Sequence, residues 1–243
     1  MRKLTQAMLV AGAALIAAPA LAADMPYYPP VIEIPDVDYG VSGSFYLRGS
    51  AGANLMWAPR VNHPDAPAGS FVIDGFGYGY SVGAGAGYEF GNGLRMDATI
   101  DYLGNEGLRS NIQGATGPIA AGVHTLSLRS TVVLANAYYD FALGGDGYGA
   151  AGGAFGYVGA GAGAAFNDFI TNGPGLADTR DQNISFAAAG MIGAGYDFGQ
   201  IVADVGYRGL YIHDINNDAA PNAYNIPNNF VHEVRGTVRY RFN

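Results

Sequence analysis

The sequence contains no cysteine, so it can form neither a disulfide framework nor a thiolate metal site. Only Arg2 and Lys3 of its 12 basic residues precede residue 23, which leaves ten arginines, and no lysine, against 20 acidic residues. So acidic a chain lacks the basic excess that neutralises phosphates, which argues against a nucleic-acid partner. Beyond the N-terminal region no segment reaches the about 18 consecutive apolar residues of a membrane helix.

The N-terminal region has the pattern of a secretory signal peptide over residues 1–22. Positive charges at Arg2 and Lys3 precede an apolar segment from Leu9 to Ala18, and Ala20-Leu21-Ala22 has the A-x-A form of a cleavage site. The apolar segment is too short and too rich in alanine and glycine for a membrane helix. Residues 23–40 are proline-rich and lack periodicity, which predicts an extended periplasmic linker.

What the chain has in abundance is alternation of apolar and small or polar residues. The clearest example ends at Phe90, where glycine, serine or glutamate separates the alternate residues Phe76, Tyr78, Tyr80, Val82, Ala84, Ala86, Tyr88 and Phe90. A period of two with aromatic residues at both ends is typical of a strand that crosses a bilayer. Seven further segments alternate, over residues 41–57, 93–103, 124–141, 150–166, 184–198, 201–212 and 230–242.

The connections between these segments alternate in length. Residues 91–93, 144–149 and 199–200 are turn-like, whereas longer stretches rich in Pro, Asn, Asp and Gly occupy residues 58–73, 104–123, 167–183 and 214–229. Tight periplasmic turns and longer surface loops are typical of outer-membrane barrels, and a soluble β-sandwich has no reason to segregate them. The sequence therefore predicts an all-β fold, an eight-stranded antiparallel transmembrane up-and-down β-barrel over residues 41–243, acting as a monomer.

Several motifs in order along the chain carry a family resemblance: 45–49 (FYLRG), 85–90 (GAGYEF), 94–102 (LRMDATIDY), 135–141 (ANAYYDF), 157–161 (YVGAG), 195–198 (GYDF), 204–208 (DVGYR) and 232–235 (HEVR). On these residues the chain resembles the small outer-membrane β-barrel proteins of alphaproteobacteria, relatives of the surface-antigen barrels and of the OmpA transmembrane domain. The resemblance implies a closed eight-stranded porin-family barrel, no cofactor, no enzymatic activity and assembly by the barrel-assembly machinery. Such barrels usually end on an aromatic residue, whereas here Asn243 follows Phe242.

The inward-facing positions of the predicted strands hold most of the charge. They are Arg48, Glu89, Arg95, Asp97, Asp101, Arg129, Asp197, Asp204, Arg208, Glu233, Arg235, Arg239 and Arg241. Eight strands leave an interior that side chains can just fill, and buried arginines and carboxylates are stable when paired. We therefore predict a structural charge network that plugs the lumen, with a narrow ion path as the alternative.

In residues 124–141 the alternation of inward and outward positions is regular only in the first part of the segment. The pattern places Leu126, Leu128, Val132 and Leu134 on the outside and Arg129 inside. Residues 135–141 fit neither phase clearly, and we expect a β-bulge there.

The sequence predicts no catalytic, cofactor-binding or metal-binding residue. Gly83 to Gly87 alternate within a strand and no helix follows, unlike a nucleotide-binding loop, and Ala219 stands where a calcium loop starting at Asp214 needs glycine. No serine, histidine and acid fall on one face as a catalytic triad requires. We therefore expect a structural surface protein for envelope integrity and surface coverage. It would contact outer-membrane lipids and lipopolysaccharide.

Two alternatives remain open at this point. One is a narrow ion-conducting porin. The other is a surface module that binds haem or another ligand or host partner through the extracellular loops, for which His63, His124 and His213 are the candidates, whereas His232 is expected to face lipid.

Overall fold

The computed structural model describes residues 43–63, 71–112, 121–143, 152–174, 178–217 and 224–242. The predicted signal peptide and proline-rich linker lie outside these residues and stay predictions. In the described part, no helix is long and apolar enough to span a membrane.

All the regular elements of the described part are β-strands: β1 (Ser44–Trp57), β2 (Phe71–Gly75), β3 (Gly77–Glu89), β4 (Leu94–Ile112), β5 (Gly122–Ala142), β6 (Gly153–Asn172), β7 (Thr179–Asp197), β8 (Ile201–Asn217) and β9 (Tyr224–Phe242). Only Phe76 separates β2 from β3, and both pair with β4. They therefore form one interrupted crossing, and the nine strands make eight crossings.

The sheet closes on itself. Each crossing pairs antiparallel with the next along the chain, and β1 pairs with β9 from Phe45–Phe242 to Trp57–Phe230. Following paired residues once round the barrel from Trp57 through every crossing leads back to β1 at Leu47, a displacement of ten residues that tilts the strands. This closure confirms the predicted eight-stranded antiparallel barrel and leaves no unpaired edge at the β1–β9 seam.

The outer wall of the barrel is apolar between two aromatic rows, and we call this surface the outer belt. One row lies at the end where β3 meets β4 and β7 meets β8, which we call the turn end, and the other lies towards the opposite, loop end. The turn-end row contains Phe45, Phe90, Tyr139, Phe141, Tyr196, Phe198, Tyr240 and Phe242, and the loop-end row contains Trp57, Tyr78, Tyr80, Tyr102, Phe166, Phe186 and Phe230. Such rows suit the two interfaces of a bilayer.

Strands β4 to β9 are longer than the sequence pattern predicted. They contain 17 to 21 residues, whereas about 9–11 residues suffice for one crossing. The predicted loops are therefore partly strand, and the loop-end connections shrink to residues 58–70, 113–121, 173–178 and 218–223. The extensions form because their inner faces bury apolar side chains, including Leu108, Phe169, Ile215 and Ile226.

The inner face of β5 corrects the predicted phase. Leu126, Leu128, Val132 and Leu134 all point inward and are buried, so their predicted outward orientation is wrong. The β5–β6 register also runs without a shift from Thr125–Asn172 to Ala142–Phe155, which excludes the bulge expected in residues 135–141. The shift between β4 and β5 lies instead between Asn105 and Leu108, where Gly107 takes a φ of 86° that favours glycine.

Candidate functional site: the barrel lumen

The lumen has two sections with opposite chemistry. Towards the turn end it is filled by arginines, carboxylates, tyrosines and polar side chains, which arise from the inward alternate positions of every strand around the barrel. Towards the loop end it is filled by an apolar core, which includes Met56, Leu103, Leu128, Phe169, Leu210, Ile212 and Val231, together with buried polar side chains such as Asn54, Asn105, Ser130 and Asn167. The two sections together pack the interior of the described barrel with side chains.

The charged section contains two ion-pair clusters. The larger, which we call the turn-end cluster, consists of Arg48, Glu89, Arg95, Asp97, Asp140, Asp197, Asp204, Arg239 and Arg241. The smaller, which we call the middle cluster, consists of Asp101, Arg208, Glu233 and Arg235. Between them they place six arginines opposite seven carboxylates, so the interior charge nearly cancels.

The arginines of β9 supply one half of the turn-end cluster. Arg239 lies 2.6 Å from a carboxylate oxygen of Glu89 and 3.9 Å from one of Asp204. Arg241 lies 2.6 Å from both Glu89 and Asp197 and also donates to the carbonyl of Gly199. These arginines therefore join β9 to β3 on one side and to β7 and β8 on the other.

Asp97 is the centre of the other half. It accepts hydrogen bonds from the Nη1 of Arg48 at 2.8 Å, the hydroxyl of Tyr46 at 2.9 Å and the amide of Asn136 at 2.8 Å. A carboxylate that accepts three donors within a low-dielectric interior has its desolvation offset. Tyr46 and Arg48 come from β1, Asp97 from β4 and Asn136 from β5, so this one carboxylate joins three crossings.

Arg95 links Asp97 to Asp140. Its Nε lies 2.9 Å from an Asp140 oxygen, and its guanidinium lies 3.7 Å from the centre of the Tyr138 ring, a cation–π contact. The hydroxyl of Tyr138 in turn accepts a hydrogen bond from Arg48 at 2.8 Å. Stacking on an aromatic ring and pairing with a carboxylate are both properties of arginine that lysine does not match.

The middle cluster has an arrangement of two arginines facing two carboxylates. Arg208 lies 2.7 Å from Asp101 and 2.7 Å from Glu233, and Arg235 lies 2.9 Å from Asp101. The hydroxyl of Ser81 donates to Glu233. All four charged side chains are at most 5% exposed, so this cluster is sealed from water on both sides.

Glycines make room for these long side chains. A Cβ atom at Gly83 would overlap a carboxylate oxygen of Asp101, and one at Gly87 would lie 2.7 Å from the ring of Tyr46. Alanine at either position would displace a member of the charge network. The glycine alternation of β3 is therefore explained by packing inside the barrel.

The lumen holds 12 of the 13 predicted network residues in these two clusters. The prediction for Arg129 is wrong, because the single phase of β5 that buries Leu128 and Ser130 turns Arg129 to the outside. The same phase turns Asp140 inward, where it pairs with Arg95 and Arg239, and the sequence analysis missed it. A uniform alternation from His124 to Asp140 would have found both.

Two arginines face each other across the closing seam. Arg48 of β1 and Arg239 of β9 are direct partners in the register, although like charges directly opposite are destabilising. Arg48 turns to Asp97 and Arg239 turns to Glu89, so each reaches a carboxylate from β4 or β3 instead of its neighbour. The carboxylates of the neighbouring crossings thus allow the seam to close.

Two of the three predicted histidine candidates lie beside the same tyrosine, and the third lies elsewhere. His63 and His124 are buried at the loop end of the lumen beside Tyr224, with His124 Nδ1 2.8 Å from the Tyr224 hydroxyl and the His63 ring 5.2 Å from the Tyr224 ring. His213 and His232 are on the outer wall, each in contact with a tyrosine. Among the described residues, no three His, Cys, Asp or Glu side chains form a group that could hold a metal ion.

No protein-family model and no curated protein matches the sequence. Among solved structures, the chain is similar to Neisserial surface protein A, with 21% identity, a TM-score of 0.50, and coverage of 82% of this chain and 97% of that one. The outer membrane protein OprG from Pseudomonas aeruginosa has 12% identity and a TM-score of 0.47, covering 82% and 97%. Ail, the attachment invasion locus protein of Yersinia pestis, has 14% identity and a TM-score of 0.38, covering 81% and 98%. The likeness to Neisserial surface protein A shows that this chain has the fold of outer-membrane β-barrel proteins.

Proposed function

We propose that this protein is a structural outer-membrane barrel with a closed lumen, which contributes to envelope integrity and surface coverage. One observation carries the proposal: the interior is packed along its length, by ion-pair clusters towards the turn end and by an apolar core towards the loop end. A barrel without a path for solutes can serve the membrane only through its walls and its exposed ends.

The packing of the lumen disfavours an ion-conducting porin. Conduction needs sites that an ion can enter and leave through water, and the middle of this lumen offers none. The side chains of Arg208 and Arg239 are each 1% exposed, and both are held by carboxylates. Beyond them Leu103, Leu210 and Ile212 are fully buried, so a hydrated ion would meet an apolar barrier as well.

The outer belt supports placement in the outer membrane. Closed barrels and helices are the structures that satisfy every backbone polar group within lipid. The predicted signal peptide directs the chain across the inner membrane, and the barrel-assembly machinery then inserts it as a monomer. Outer-membrane lipids and lipopolysaccharide surround the belt.

Planar-bilayer recording tests the closed lumen directly. Folded protein reconstituted into bilayers gives no stable unit conductance, since no water path runs through the charge clusters. Folding is verified by the gel mobility shift that unheated barrels show. Large and reproducible unit conductances from folded protein would overturn the proposal and favour a porin.

The role in the envelope is tested in cells. Deletion of the gene raises sensitivity to detergents and to large antibiotics, and the wild-type gene restores resistance. A variant that folds with an intact outer belt restores resistance to detergents and large antibiotics as well. Unchanged sensitivity of the deletion strain to detergents and large antibiotics would contradict the structural role.

A surface binding module is the second candidate, favoured by the strand extensions. Strand β5 contains 21 residues, about twice the length that a crossing needs. The loop-end parts of the extended strands bury apolar side chains on their inner faces. Such an extension carries the strands beyond the loop-end aromatic row. Replacing residues 113–121 and 218–223 by two-residue hairpin turns would abolish adhesion of expressing cells to a host surface while the barrel still folds.

A further inference from the structure

Arg129 is an arginine in an unexpected place. It lies on the outer wall in β5, is exposed, and makes no ion pair or hydrogen bond with any residue in the described part of the chain. In β5 it is flanked on the outer face by Ser127 and Thr131, neither of them charged. Its guanidinium is therefore free of any partner within the described residues.

The acid nearest in register is already engaged. Arg129 stands directly opposite Asp168 of β6, but Asp168 accepts two hydrogen bonds from Arg180 of β7, one of them at 2.8 Å from Nε. A bidentate pair of this kind uses both carboxylate oxygens. Arg129 therefore keeps an uncompensated positive charge.

Two grooves in the outer wall meet at Arg129 and Tyr102. The larger, of about 660 Å³, is lined by the outward side chains of Phe166, Gln182 and Ile184 and by Asp168, whose carboxylate pairs with Arg180. The smaller, of about 390 Å³, is lined by Tyr78, Tyr80 and Glu106. Glu106 has no ion-pair partner in the described part of the chain and would repel an anion from the smaller groove, whereas Arg180 neutralises Asp168 in the larger one, so the larger groove is the place for an anion.

The level of Arg129 on the wall identifies the kind of partner. Arg129 pairs in register with Gly104, one outward position beyond Tyr102 in the loop-end aromatic row. Aromatic rows mark the level of lipid headgroups, so the guanidinium lies where lipid phosphates and sugars begin. Phe166 and Ile184, which line the groove, are exposed apolar residues of the outer wall and suit an acyl chain of the same molecule.

We propose that Arg129 and the larger groove bind a phosphorylated glycolipid of the outer leaflet. The guanidinium fork contacts a phosphate, the amide of Gln182 contacts a sugar hydroxyl group, and an acyl chain lies along Phe166 and Ile184. The site rests on the membrane placement of the proposed function but not on the closed lumen. Bilayer conductance is therefore independent of Arg129, and failure of either proposal can be told from failure of the other.

The chain offers a matched control for this site. Arg109 of β4 is also exposed, faces outward and has no ion-pair partner in the described part of the chain, but it lines neither groove. Arg109→Gln and Arg129→Gln therefore remove the same charge from the same wall. Arg129→Lys keeps the charge and removes the fork.

Native mass spectrometry of the refolded barrel in zwitterionic micelles, titrated with bisphosphorylated lipid A, tests the proposal. Arg129→Gln weakens binding about tenfold or more, the loss expected for a hydrogen-bonded charge pair. Arg109→Gln binds like the parent protein, and Arg129→Lys falls between. With dephosphorylated lipid A the parent and Arg129→Gln bind equally, because the contact to phosphate is then absent from both.

Three results would overturn the proposal. Equal losses in Arg109→Gln and Arg129→Gln would show a general effect of wall charge. Binding of phosphatidylglycerol as tight as that of lipid A would show unspecific attraction of anionic lipid. Displacement of lipid A by millimolar inorganic phosphate would show a site for a free anion. The gel mobility shift of each variant confirms that it has folded.

Discussion

Arg239 donates a hydrogen bond at 2.6 Å to Glu89, although 150 residues separate the two along the chain. Arg239 lies on the last strand and Glu89 on β3, and β1 stands between these two strands in the sheet. The contact therefore exists only when both pairings of β1 have formed. It ties the ends of the barrel together from the inside.

Replacement of Arg239 by leucine should strongly destabilise the barrel. The arginine is fully buried, and its loss leaves Glu89 and Asp140, whose side chains are 15% and 14% exposed, with one cation fewer. Breaking a buried ion pair from one side costs about 3–5 kcal/mol. We expect the heat-dependent gel mobility shift of the variant at a clearly lower temperature than that of the parent.

The control for this variant is Arg180→Leu. Arg180 also pairs with an aspartate, but it is largely exposed on the outer wall near the loop end, where water and salt weaken the pair. The transition of Arg180→Leu should stay close to that of the parent. An Arg239→Leu protein that melts like Arg180→Leu would contradict the importance of the turn-end cluster.

The middle cluster should show coupling between Arg208 and Glu233. Arg208→Ala alone leaves two carboxylates with one arginine, whereas Arg208→Ala combined with Glu233→Ala leaves the balanced pair of Arg235 and Asp101. We expect the double variant to lose less unfolding free energy than the two single variants lose together, by about 0.5–3 kcal/mol. Urea unfolding in lipid vesicles measures all three. Additive losses would mean that the two side chains do not act as a pair.

The strand glycines should tolerate substitution according to the space beside them, which differs between Gly163 on the inner face and Gly190 on the outer face. A methyl group at Gly163 would overlap the carbonyl oxygen of Val133 on the neighbouring strand, whereas one at Gly190 would meet no atom within 4 Å. We expect Gly163→Ala to destabilise the barrel by about 1–3 kcal/mol, the usual cost of overpacking. Gly190→Ala should melt like the parent, and equal behaviour of the two variants in urea unfolding would count against the inner-wall packing described above.

The single tryptophan reports the level of the loop-end aromatic row. Trp57 is 40% exposed on the outer wall and packs beside Phe230, with ring centres 6.2 Å apart. In vesicles of brominated lipids its fluorescence should be quenched most by bromines near the headgroups and least by bromines near the bilayer centre. Strongest quenching from the bilayer centre would contradict the placement of the loop-end aromatic row at the lipid headgroups.

The alternation of the sequence was enough to predict the fold. Eight segments with a period of two, joined by turns, gave the eight crossings and the inward phase of β9, because Arg235 and Arg239 alternate with Val234 and Val238. Lipid outside and charge inside give a clear contrast in such a strand. The phase is unambiguous wherever that contrast holds.

The same reasoning failed where the contrast between an apolar outer face and a charged inner face disappears. In β5 the alternating leucines point into an apolar core, whereas Arg129 and Thr131 face outward near the loop end. A pattern of hydrophobicity identifies two faces but cannot tell lipid from a packed interior. The strand extensions were missed for a related reason, since the polar residues on their outer faces resemble those of loops.

The opposition of Arg48 and Arg239 across the β1–β9 seam has a consequence for the order of assembly. Two cations brought together in the lumen repel each other until carboxylates stand beside both of them. Those carboxylates, Asp97 and Glu89, arrive with the β3–β4 hairpin, which must therefore be packed against β1 before the last strand can complete the ring. Closure of this barrel is in this sense conditional: the final step is favourable only after an earlier one has supplied its counter-charges.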